Sequence, residues 1–160
     1  MADENKIDVK KEYEKLQKEF DWPSFDKFRE DFDVEKTAEK ESGILVREIR
    51  RTMGEKISGY LHLFETLMNP ASPPVFVFSF LKSSSEKQRK EIKEYYMELS
   101  KIQIKMILLD TVFEKKKEGE FVLNVYNQWQ TLKKKIHELI FEFEKEFEKS
   151  AEVKEKSYFG

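Results

Sequence analysis

Apolar residues recur at intervals of three and four along most of this chain, the spacing of amphipathic α-helices. A first stretch places Val9, Tyr13, Leu16 and Phe20 on one face. Trp22-Pro23 interrupts it, because proline disfavours the helical region for the residue before it. A short piece follows with Phe25, Phe28 and Phe32 on one side, and Ser24 is its expected N-cap. Asp26, Glu30, Asp31 and Asp33 should form its solvated face.

Three long helices are predicted beyond it. The first runs over Val34 to Met68, capped by Asp33, with a stripe of Leu45, Ile49, Met53, Ile57, Tyr60/Leu61, Phe64 and Leu67/Met68. Gly43, Gly54 and Gly59 interrupt it, and close packing against another helix is their expected use. The second runs over Glu86 to Lys117 with Ile92, Tyr95/Tyr96, Leu99, Ile102, Met106, Leu109 and Phe113 inward. Ser85 and Gln88 form its capping box. Lys115 to Lys117 should complement its C-terminal dipole and Gly119 should end it. The third, over Glu120 to Lys149, has the cleanest coiled-coil seam: Val122, Val125, Trp129, Leu132, Ile136, Leu139/Ile140, Phe143 and Phe147.

Between the first two long helices lie Asn69 to Pro74, with three of the four prolines, and the apolar run Val75, Phe76, Val77, Phe78, Ser79, Phe80, Leu81. Pro73-Pro74 suits a helical first turn and no second strand exists to pair with, so a short helix is expected. Val75, Phe76, Phe78, Phe80 and Leu81 are then candidates for either an apolar interface or a plug on the end of the bundle.

Short connections make successive helices antiparallel neighbours. The expected fold is therefore all-α: an antiparallel bundle of three long helices closed by a shorter, interrupted N-terminal helix. A single domain over residues 1–149 and a frayed tail over 150–160 are expected, with an open three-helix unit that dimerises as the alternative.

Composition narrows the function. The 160 residues are 39% charged, well above the roughly 25% of an average globular protein, yet Lys+Arg is 30 and Asp+Glu 32. That balance argues against a general polyanion binder. Enrichment in Lys and Glu is typical of hyperthermophiles, and an AT-rich genome gives the same bias. With no cysteine, disulfides, thiolate nucleophiles and cysteine-ligated metals are excluded. The charged N-terminus has no signal-peptide core and no apolar run approaches a bilayer span, so the cytoplasm is the expected location, with no membrane contact.

Candidate chemistry is sparse. Registering the helices about their turns brings Arg47, Arg50 or Arg51 level with Asp110, Asn124, Asn127 and Gln128. Asp110 interrupts an apolar stretch and needs a cationic partner if it is covered. A structural pair with an arginine of the first long helix is expected, and an anionic ligand is the functional alternative. His62 and His137 lack the Glu-x-x-His spacing of di-iron bundles, so no metal, cofactor or catalytic residue is assigned. Three of the five arginines fall at Arg47, Arg50 and Arg51, and arginine favours forked contacts with phosphate or carboxylate.

The runs Phe25-Asp26-Lys27-Phe28-Arg29-Glu30-Asp31-Phe32-Asp33, Val46-Arg47-Glu48-Ile49-Arg50-Arg51 and Leu61-His62 resemble the opening of translin-type helical nucleic-acid-binding proteins. The Arg-Glu-Ile run stands one residue further from Leu-His than in that family, and the chain lacks room for the family's middle helices. The resemblance therefore implies only a class, a nucleic-acid-binding bundle that uses the Arg47/Arg50/Arg51 face, and assigns no residue a role. The leading expectation is a non-enzymatic interaction module that self-associates, as a homodimer, or binds a protein partner. Nucleic-acid binding is the alternative.

Overall fold

The computed structural model describes residues 8–35 and 45–158, with side chains as far as residue 152. The fold is all-α, an antiparallel helical bundle, with six helices among the described residues. They are α1 (Val9–Phe20), α2 (Phe25–Asp31), α3 (Leu45–Met68), α4 (Val75–Ser83), α5 (Glu86–Thr111) and α6 (Lys115–Tyr158). The expected helical segment 36–44, which includes Gly43, lies outside the described residues. Asp33 precedes a single 3₁₀ turn at Val34–Glu35, not the first turn of an α-helix.

Tertiary contacts gather into two compact units. The first comprises Met1–Gly59 and Lys101–Trp129. Here Asp8 caps α1 by accepting from the Lys11 N–H, and Asp21 ends that helix in the left-handed region at φ 56°. Ser24 caps α2 through the Lys27 N–H. The interrupted N-terminal helix then lays its aromatics on α6. Phe28 stacks on Tyr126 with ring centroids 5.7 Å apart, and Phe32 meets Trp129 at 6.2 Å. Ile49, Met53 and Ile57 of α3, Ile102 and Met106 of α5, and Val122, Val125 and Trp129 of α6 are all buried. Each such side chain contributes roughly 1.5–3 kcal/mol relative to exposure. Within α3, Gly54 sits directly against the Met106 side chain of α5, where a methyl group would collide. Gly59, by contrast, faces open space.

The second unit comprises Tyr60–Ser100 and Gln130–Gly160. Phe64 of α3 meets Tyr95 of α5 edge-on at 6.0 Å, and Ile92, Leu99, Leu132, Ile136 and Leu139 complete the core. The capping box forms as expected: the Ser85 N–H donates to Gln88 Oε1 at 2.9 Å, and the Gln88 N–H donates to Ser85 Oγ at 3.2 Å. Segment 75–83 is the short helix that the proline pair suggested.

One boundary differs from expectation. The turn between the last two helices is Val112 to Glu114, and Gly119 lies inside α6. A glycine that stops a helix adopts the left-handed region, and Gly119 does not. Its lack of a side chain serves packing instead, since a Cβ there would stand 2.6 Å from the Phe20 ring. Lys115 to Lys117 thus open α6 and do not close α5. At its other end α6 continues through Tyr158, because Lys, Glu and Ala favour helix beyond the last stripe position.

Candidate functional site

The first unit contains a buried charge cluster. Arg50 projects from the core face of α3 with none of its side chain exposed. One terminal nitrogen donates to Asp110 Oδ1 and the other to the Met106 carbonyl at 3.2 Å. Its Nε lies 3.7 Å from Glu118 Oε1, and Arg47 Nε lies 3.5 Å from the same oxygen. Glu118 is fully buried in the first turn of α6, where the positive end of the helix dipole also favours a carboxylate. Phe113 covers the outer side, with the Arg47 guanidinium 4.2 Å from its ring centroid.

Asp110 thus finds the arginine that was expected, but the burial is reversed. The carboxylate is 55% exposed and the arginine is the buried partner. The helix turns Asp110 outward at the end of α5, and the long arginine side chain spans the apolar layer to reach it. Asn124, Asn127 and Gln128 are exposed, and Glu118 is the α6 residue that meets the arginines. Arg51 points outward and pairs with Glu48 at 3.2 Å. Of the three arginines, only Arg51 keeps a half-exposed side chain.

Glu118 is hidden in the sequence because Gly119 reads as a helix stop. The signal was nonetheless present: 118, 122, 125 and 129 continue the seam of α6 backwards at intervals of four, three and four. Neither Glu118 oxygen, nor the Nε of Arg47 or Arg50, makes a hydrogen bond among the described residues. Two cations thus converge on one carboxylate that is sealed from solvent.

A second polar feature of this unit is Asp31, assigned by its sequence to a solvated face. It is half-buried, with Oδ1 accepting from Trp129 Nε1 at 3.3 Å and its carbonyl accepting from Lys56 Nζ. Burial of Tyr13, and secondarily the neighbouring Tyr126, raise the Tyr13 phenol well above its ordinary value, and its hydroxyl donates to the Pro23 carbonyl at 2.9 Å.

In the second unit, α4 divides its apolar residues between two faces. Val77 and Phe80 are buried, with Phe80 in ring contact with Phe143 of α6. Leu81 is half-buried, while Val75, Phe76 and Phe78 remain 79%, 55% and 63% exposed. His62 and His137 are both exposed. Among the described residues no group of His, Asp and Glu is disposed to hold a metal ion, and no helix is long and apolar enough to cross a membrane.

Compared with protein-family models, curated proteins and solved structures, the chain matches none.

Proposed function

We propose that the chain is a non-enzymatic helical-bundle interaction module that self-associates through the outward face of the last two turns of α5. One observation carries this reading: Ile104, Ile107 and Leu108, with Val112 just beyond the helix end, are each more than half exposed. They lie at intervals of three, one and four, so they share a side of the helix. The opposite side buries Ile102 and Met106. A helix apolar on both sides belongs inside a larger assembly, and a contiguous exposed stripe of this kind marks an interaction surface. The buried arginine–glutamate cluster supports the non-enzymatic part, because the most concentrated charge in the first unit is sealed and internally matched.

Light scattering across a concentration series tests the reading. The chain should exceed its 19.3 kDa monomer mass and rise with concentration. Leu108→Glu, at an exposed position, should restore the monomer with little change in melting temperature. A wild-type mass that stays at the monomer value would refute self-association. Steeply salt-dependent retention on a polyanion column would instead favour nucleic acid as the partner.

A further inference from the structure

A cleft of about 470 Å³ lies wholly within the second unit, between α4, the end of α3 and the C-terminal half of α6. Leu63, Leu67, Val77, Phe80, Ile140 and Phe143 form its walls. Along α6 the lining runs from Ile140 to Ser150, roughly 15 Å at 1.5 Å per residue. Size and apolar character both fall within the range of small-ligand sites.

The mouth carries a definite sign. Every formal charge among the lining residues is a carboxylate, Glu144 and Glu146, with no lysine or arginine. Glu146 accepts hydrogen bonds from neutral donors, Ser83 Oγ at 3.0 Å and Gln88 Nε2 at 3.4 Å, so its charge is not cancelled by them. Phe76 and Phe147 also line the cleft and are about half exposed, leaving ring surface beside these carboxylates. Aromatic faces next to anionic oxygens attract ammonium groups, especially those stripped of water.

We propose that this cleft binds an amphiphile with a single hydrophobic body and a cationic amine or quaternary ammonium head. The apolar body lies along Ile140 and Phe143 and displaces water from the walls. The head sits at the mouth between Glu144, Glu146 and the two half-exposed rings. A neutral hydrophobe would forgo the head contacts, and an anionic one would meet two like charges.

Calorimetric titration of the full chain with decyltrimethylammonium, held below its micellar concentration, tests this against decyl sulfate as the matched anion. The cation should bind saturably and at least about fivefold more tightly than the anion. Glu144→Gln alters an exposed residue and should cut that preference by about half or more. Ile140→Trp should fill the cleft and weaken the cation by about tenfold or more. Equal affinity for the two probes, or a preference indifferent to Glu144→Gln, overturns the proposal. So does a basic amphipathic peptide that binds where the cation does not, since the cleft would then be a protein-docking groove.

Discussion

Arg50 of α3 and Glu118 of α6 stand 3.7 Å apart with neither side chain exposed to solvent. Two buried charges lose hydration that their mutual attraction only partly restores, so the pair is better understood as a constraint on register than as a gain in stability. Its disruption is still costly, because removing one member leaves buried charge only partly compensated by Asp110 or Arg47.

The two carboxylates that serve Arg50 should therefore differ. Glu118→Ala should destabilise the chain by about 3–5 kcal/mol, since it leaves two arginines facing each other. Asp110→Ala should cost only about 1–2 kcal/mol, because that carboxylate is half in water and Glu118 remains. Urea denaturation of both variants settles the order, and a larger loss for Asp110→Ala would contradict the burial argument.

Glycine substitutions separate packing from propensity. Gly59→Ala adds a methyl group to open space in a helix and should stabilise by about 0.5–1 kcal/mol. Gly119→Ala drives a methyl group into the Phe20 ring, which is itself stacked on Trp22, and should destabilise by about 1–3 kcal/mol. Thermal melts would expose an error if both changes moved stability in the same direction.

Phe78 and Phe80 are two residues apart and should behave as different kinds of residue. Phe80→Ala removes a ring packed on Phe143 and should cost about 3–5 kcal/mol. Phe78→Ser replaces an exposed ring and should fall within about 0.5 kcal/mol of wild type. Comparable losses at both positions would mean that α4 buries its other face.

Alkaline pH should weaken the fold through Tyr13. Its folded-state pKa lies above the unfolded value of roughly 10, so its contribution is fully present below that pH. As the pH rises further the unfolded chain loses the phenolic proton first, and stability falls until the folded-state value is passed. Melting temperatures between about pH 9 and 11.5 should decline, less steeply in Tyr13→Phe, with the drop spanning the interval above the ordinary tyrosine pKa. An identical slope in the variant would remove Tyr13 as the cause.

Much of the fold was legible because period and punctuation agree. The seams are buried through their middles, at Ile49 to Ile57 of α3, Leu99 to Met106 of α5 and Val122 to Leu139 of α6, but their far ends at Met68, Phe113 and Phe147 are exposed. Ser24, Ser85 and Gln88 cap as their sequence contexts suggest. The charge cluster was half legible. Asp110 announced itself by breaking an apolar run, and its arginine followed. Glu118 was hidden because Gly119 looks like a helix stop, and only tertiary contact with Phe20 explains a glycine there. The true turn at Val112 to Glu114 has neither glycine nor proline to mark it. Spacing placed Ile102 and Met106 on the inward side of α5, as found, but it cannot say whether the second apolar side, at Ile104, Ile107 and Leu108, is covered or exposed.

The indole N–H of Trp22 donates to the Gly119 carbonyl at 2.8 Å across 97 positions of sequence. During synthesis at roughly 5–20 residues per second, that acceptor arrives about 5–20 s after its donor. During this interval Trp22, Phe25 and Phe28 exist before the surface that will cover them has been made. Trp22 emission in arrested chains of increasing length would date the docking. The aromatic segment around Trp22 thus stays uncovered for a time set by translation and not by folding.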